Sequence, residues 1–254
     1  MKISILTLFP EMFNGFTTNS IIKRAIGKGI VEIEIVNIRD YTKDKYGRVD
    51  TPPIGGGAGL IQKAQPIVDA LNSVKTENSH SLLMSPRGTT FTQKEAVRLS
   101  KFDHLIIVCG HYEGVDERVN KYVDELISIG DYILTGGEIP AMGISDSIIR
   151  LLDGAITSAS LDDESFNDNL LEYPQYTEPY NFNGDTVPDI LYSGNHGSIR
   201  KWRRKKQLEL TKEHRPDLYQ NILLTKQDKK LLEEENPKWE KEALEKGKKF
   251  IHSK

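Results

Sequence analysis

The chain is poor in the features that build a covalent or membrane-bound framework. It has 254 residues and a single cysteine, Cys109. One thiol excludes an internal disulfide and any cysteine-cluster metal centre. No apolar run approaches the ~18 residues that a membrane span requires. The opening MKISILTLFPEMF has one Lys and a short apolar run broken by Pro10 and Glu11, which reads as a first strand and not as a signal peptide. The dinucleotide-binding G-x-G-x-x-G, the P-loop G-x-x-x-x-G-K-[ST] and the H-E-x-x-H metal spacing are all missing. A reducing cytoplasm fits these absences. What is there is a globular balance of 37% apolar and 28% charged residues, enough chain for one large domain or two ordinary ones.

The net charge of −3 hides an asymmetry. Residues 158–191 hold Asp162, Asp163, Glu164, Asp168, Glu172, Glu178, Asp185 and Asp189 and no Lys or Arg. Residues 197–215 hold Arg200, Lys201, Arg203, Arg204, Lys205, Lys206, Lys212 and Arg215 against Glu209 and Glu213. A basic block of that density is either a footprint for a polyanion or a solvated helix face.

Apolar and alternating runs at 2–9, 31–38, 81–84 and 105–110 predict strands. Helical patterns lie between them at 20–29, 65–74 and 92–101, the last with Thr92 and Glu95 spaced as a capping box. This alternation predicts α/β with a largely parallel sheet. After Leu152 the texture changes. Residues 158–172 read as an interdomain linker between an α/β domain (1–157) and a small, mainly α C-terminal domain (173–254), where 199–210 and 228–235 are helical in composition.

Three glycine-bearing loops follow strand-like runs: SPRG (85–88), GHYEGVDER (110–118) and IGDYILTGGEIPAMG (129–143). In open α/β sheets ligands sit beyond the carboxyl ends of strands. Loops of this kind, meeting in space, make a pocket walled by backbone, where glycine permits close approach. Main-chain groups can read an adenine edge while Ile129, Ile133 and Leu134 cover its faces. So little cationic chemistry points to a nucleoside-like ligand without a polyphosphate. A fourth loop, PPIGGGAGL (52–60), stands apart; its glycines either approach a ligand or merely bend the chain.

The stretches YEGVDER, SIGDYILTGGEIPAM, GGGAGL, SFNDNLLEYPQYT and LYSGNHGSIRKWR resemble the bacterial tRNA (guanine-N1)-methyltransferases of the TrmD type. The likeness runs from LTLFPEMF to HRPDLY, nearly the whole chain. It implies a SPOUT-class parallel sheet with a deep trefoil knot, which periodicity does not reveal. It implies S-adenosyl-L-methionine (AdoMet) as methyl donor, held by Pro86, Gly110, Tyr112, Glu113, Ile129, Gly130, Asp131, Tyr132, Ile133, Leu134, Gly136, Gly137 and Pro140. It further implies a homodimer with the active site at the subunit interface, and tRNA as substrate, methylated on N1 of guanosine 37. Mg2+ is implied as well, though no ligand set in the sequence marks a site.

Guanine N1 is a poor nucleophile until it loses its proton, which calls for a base, and a donor at O6 steadies the charge that builds there. The matching positions are Glu164 for the base and Arg150 for the donor. Glu164 stands where the family carries Asp, one methylene shorter, and a one-residue slip offers Asp163 instead. Ser165 and Asp168 read as residues that order the linker. Glu178 stands where the family usually has Arg, and Ile54 where an aromatic is common. Arg200, Lys201, Arg203, Arg204 and Arg215 become candidate phosphate contacts, and Trp202 a core anchor. Asn195 and His196 either order the C-terminal domain or approach RNA. Cys109 reads as a buried small residue and His111 as structural or pocket-rim. Two rival readings remain: an RNA-binding module that keeps the pocket without transfer, and a hydrolase using Ser193 and His196.

Overall fold

In β1 (Lys2–Thr7) neither face is polar enough for water: Ile3, Ser4, Ile5, Leu6 and Thr7 are all buried. That is the pattern of a strand covered by helices on both sides. The computed structural model, which describes residues 1–157, 164–234 and 237–252, places β1 near the middle of a five-stranded sheet. Its other strands are β2 (Glu32–Asn37), β5 (Ser79–Thr90), β6 (His104–Val108) and β7 (Glu125–Ser128). The order is β2-β1-β6-β5-β7 and every pairing is parallel. A short ribbon of β3 (Asp50–Thr51) and β4 (Ile61–Gln62) stands outside it.

Alternate side chains divide between the faces of the sheet. Ile3, Ile5, Leu82, Leu105 and Ile107 pack with Ile22 and Ala25 of α2 (Ser20–Gly27), which follows the short α1 (Asn14–Thr18). They also meet α4 (Gln93–Leu99) and α5 (Glu138–Ile149). Leu6, Leu83, Ile106 and Val108 pack instead against Ile67 and Leu71 of α3 (Ala64–Val74). The expected parallel α/β sheet is therefore what the chain forms. The expected capping box on α4 is not: Thr92 makes no side-chain cap bond, and Glu95 turns to Arg98 at 2.7 Å. A nearby guanidinium is the stronger partner for that carboxylate.

The chain divides into two compact units, Met1–Ser158 and Ala159–Lys254. The second contains a small hairpin of β8 (Asn181–Phe182) and β9 (Asp185–Thr186). Its helices are α6 (His196–His214), α7 (Pro216–Tyr219), α8 (Lys226–Glu233) and α9 (Lys238–His252). Ile190, Trp202 and Ala243 form its centre. Trp202 is thus a core anchor, and Asn195 caps α6 by accepting from the Ser198 amide at 3.1 Å.

Asp228 is a heavily engaged acid of this unit. It is 3% exposed. It accepts from Arg204 Nε at 2.8 Å and Nη2 at 3.1 Å, and from the Thr225 amide and hydroxyl at 3.0 and 2.9 Å. The Arg204 hydrogen bonds, ahead of those from Thr225, hold its carboxyl down to about 2 against an ordinary 3.8. A depressed carboxyl adds stability above its unfolded-state pKa and loses it as pH falls through the folded one. Fluorescence-detected urea melts, which follow Trp202 and Trp239 of this unit, are expected to show about 2 kcal/mol lost as pH drops from near 4 to near 2. Asp228→Asn leaves Arg204 without its charge partner and is expected to cost about 3 kcal/mol at neutral pH. An unchanged midpoint would remove this pair from the stability of the unit.

Candidate active site

Three neighbouring strands decide where the loops meet. β6, β5 and β7 lie side by side and run the same way, so the segments leaving β6 and β7 and the interruption at 85–88 within β5 are neighbours too. Together they enclose a cavity of about 460 Å³, within the size range of small-ligand sites. Its wall includes Pro86 and Arg87 from the first loop, Gly110 to Val115 from the second, and Ile129, Gly130 and Tyr132 to Gly137 from the third, with Pro140 of α5. Twelve of the thirteen positions expected to hold the donor line this cavity, and Asp131 is exposed outside its wall. His111, read as structural or pocket-rim, is in the wall, and wall residues that the sequence reading missed include Met84, Ser85, Ser128 and Thr135.

Backbone contacts stitch the wall together. The Gly137 amide donates to Gly110 O at 2.7 Å, and His111 bridges Gly136 in antiparallel fashion. A Cβ at Gly137 would lie 2.8 Å from Cys109 Cα and 3.0 Å from Gly110 N. The segment entering α5 therefore rests directly on the end of β6. On the β5 side, Met84 and Thr89 both stand opposite Ile127, so Ser85–Gly88 bulges from the ladder. A Cβ at Gly88 would meet the Ile127 amide nitrogen at 2.4 Å. Tyr112 adopts φ +60, a conformation rare for a bulky side chain.

The fourth glycine loop does not stand apart. The Glu113 amide donates to Leu60 O at 3.1 Å, the Gln62 amide to Gly114 O at 3.0 Å, and the His111 amide to Gln62 Oε1 at 3.2 Å. A Cβ at Gly59 would fall 2.4 Å from Glu113 Cγ. Residues 59–62 therefore clamp the second loop from behind, a long-range pairing with no local sequence signal.

Charge in the wall is sparse. Arg87 is its single Lys or Arg among the described residues, and Nη2 sits 2.7 Å from Glu117. Behind the wall, Glu138 is 1% exposed, accepts from Thr7 Oγ1 at 2.8 Å and faces His111 Nδ1 at 3.5 Å. Cys109 is fully buried, and burial, then the Glu138 charge, pushes its thiol well above the ordinary value. No group of three or more His, Cys, Asp or Glu converges on a cation position among the described residues.

A family model described as tRNA (guanine-1)-methyltransferase TrmD matches residues 1–221. The chain belongs to this family. Three curated relatives bear the name tRNA (guanine-N(1)-)-methyltransferase. That of Clostridium botulinum strain Eklund 17B is 56% identical over 238 residues, 93% of this chain and 100% of the relative. That of Malacoplasma penetrans strain HF-2 is 56% identical over 219 residues, 86% and 97%. That of Clostridium perfringens strain SM101 is 55% identical over 234 residues, 91% and 99%. TrmD-family membership implies AdoMet as donor, and the glycine-floored cavity fits a flat nucleoside. No helix among the described residues is long and apolar enough to cross a membrane.

The remaining expected TrmD site residues lie elsewhere. Arg150 closes α5, its amide donating to Asp146 O at 3.1 Å, and it is half-buried and outside the cavity wall. Roughly 15 Å of helix rise separates it from Pro140. Glu164, half-buried, belongs to the second unit and opens a tight loop. In that loop the Phe166 amide donates to Leu170 O at 2.6 Å and Ser165 Oγ accepts from the Glu172 amide at 3.0 Å. Ser165 thus orders the segment. The Asp163 alternative lies outside the described residues.

Much of the basic block is internally engaged. Arg204 holds Asp228. Arg203 stacks over Tyr173 at 4.5 Å and Lys201 over Trp239 at 5.6 Å. Arg215 pairs with Asp217 at 2.6 Å, while Arg200 is exposed.

Proposed function

We propose that this chain transfers the methyl group of AdoMet to N1 of guanosine at position 37 of tRNA. The observation that carries the reading is the cavity itself, walled by main chain at the ends of β5, β6 and β7 and almost free of cationic groups. Such a wall suits an adenosine moiety and would repel no sulfonium. Gly110, Gly136 and Gly137 would lie against the ring edge, and Ile129, Ile133 and Leu134 would cover its faces. When bound, the donor supplies an electrophilic methyl group with a neutral thioether to leave.

The chain's own residues then have two tasks. Glu164 accepts the N1 proton of guanine, making the nitrogen nucleophilic, and Arg150 steadies the negative charge that gathers on O6. A positioned base contributes about 10²–10⁴-fold, and an oxyanion-type donor roughly 3–4 kcal/mol. Arg150 stands a helix length from the cavity of its own chain, which supports a homodimer in which the partner completes each site. The contact of Gly137 with the end of β6 supports the knotted SPOUT arrangement. In this reading 158–172 links the knotted domain to a tRNA-binding domain, with Arg200, Lys201, Arg203, Arg204 and Arg215 as phosphate contacts.

The test is labelled AdoMet with transcripts carrying guanosine at 36 and 37, and again with adenosine at 37. Label in the first alone is the expected result. Binding without transfer would reduce the chain to an RNA-binding module, and label in both would refute N1 of guanosine 37 as the target.

A further inference from the structure

The family match ends at residue 221, yet the chain goes on to build α9 into its second unit. Ala243 of α9 has no exposure, and Trp239 and Leu244 pack with Ile190 and Trp202. Gly247 sets how close the helix lies. A Cβ there would fall 1.8 Å from the Asp189 carbonyl oxygen, a distance no side chain tolerates. Glycine at this position therefore seats α9 directly on the segment Asp189–Tyr192.

That seat fixes what the neighbours of Gly247 face. Lys246, Lys249 and Phe250 border a shallow cavity with Tyr192, Ser193 and Gly194. The rings of Tyr192 and Phe250 are 6.3 Å apart and 24° from parallel, and Phe250 is 43% exposed. Lys246 and Lys249 are exposed and form no ion pair among the described residues. They differ in this from Arg204, Lys205, Lys206 and Arg215, each of which has an acid partner. One carboxylate is bonded to the patch: Glu178 accepts from the Tyr192 hydroxyl at 3.4 Å. Two uncommitted ammonium groups outnumber it. Over its length α9 carries five lysines against three glutamates.

Uncommitted cations beside an exposed ring, here Phe250 backed by the half-buried Tyr192, are the chemistry that grips a nucleic-acid backbone and stacks on a sugar or base. We infer that this face of α9 is a docking surface for the substrate tRNA, with Lys246 and Lys249 meeting backbone phosphates and Phe250 offering its ring. The inference rests on tRNA being the substrate and adds a surface beyond the region the family model covers.

Lys246→Ala/Lys249→Ala in the full-length protein tests it, since both side chains are exposed and the core beneath is untouched. Fluorescence titration with a guanosine-37 transcript should show tRNA affinity falling about tenfold near 0.1 M salt, with the slope of log K against log salt shallower by about 1.5 to 2. AdoMet affinity and the transfer rate at saturating tRNA should match the parent. Phe250→Ala should weaken tRNA binding while leaving that salt slope unchanged. Parental affinity and slope in the double-lysine variant would overturn the docking surface while leaving the methyltransferase reading intact. Failure of the unaltered protein to bind or methylate the transcript would overturn that reading, and the inference with it.

Discussion

Glu164→Gln is expected to slow single-turnover methyl transfer at least ~10²-fold while AdoMet affinity stays within a few-fold. The amide has the shape of the carboxylate and cannot take the N1 proton. The loop around it is also held by bonds that do not involve that carboxylate. Leu170 is buried, the Phe166 amide is bonded to Leu170 O, and the Leu171 amide donates to Thr211 Oγ1 of α6 at 2.9 Å. The segment should therefore keep its form in the variant, so that a slower reaction reports lost proton transfer and not lost structure. Raising pH should restore part of the rate, because hydroxide removes the proton that Gln cannot. Asp163→Asn serves as the comparison: if the large loss appears there and Glu164→Gln is silent, the base is the neighbouring acid.

Gly137→Val should abolish the calorimetric signal of AdoMet binding. Its first added carbon would press on Cys109 Cα and the Gly110 amide nitrogen, which are backbone at the end of a buried strand and cannot swing aside. Relief requires parting the two loops whose bond, Gly137 N to Gly110 O, closes the wall. Overpacking of this kind costs about 1–3 kcal/mol even for modest insertions, and branching at Cβ adds to it. Gly136→Val should also lose binding, by a different route. There the clash is with Glu138 Oε2 and His111 Nδ1, each at 2.3 Å, so the variant displaces a buried carboxylate. Gly143→Ala, within α5 just beyond them and with nothing within 4 Å of its added carbon, should bind AdoMet as the parent does. Equal affinities across the three would mean that the cavity does not hold the donor.

The fold was legible where one local rule decides it. Largely apolar stretches mark β1, β6 and the Leu82–Met84 part of β5, because a strand covered on both faces has little polar side to show. The wall loops were legible because glycine directly after such a run signals close backbone approach. What the sequence hid was set by distant partners. Thr92 and Glu95 have capping-box spacing, but Arg98 claims the glutamate. GGGAGL gives no local sign of its role because its partners, residues 111–116, lie some fifty positions on in the chain. The density of the basic block concealed how many of its charges are spoken for: Arg204 by Asp228, Arg203 by the face of Tyr173. For α9, only the shape of its neighbour explains Gly247. Composition alone makes a glycine inside a helix look like a weakness.

The bulge at Ser85–Gly88 is anchored at both ends to one strand, since the residues before and after it face the same position of β7. A wall fastened twice cannot swing, and Gly88 lies against the β7 backbone. Elsewhere in the cavity wall Tyr132 and Ile133 stand exposed. A partner molecule pressing on those two side chains would reshape that part of the wall and leave the twice-fastened bulge where it is.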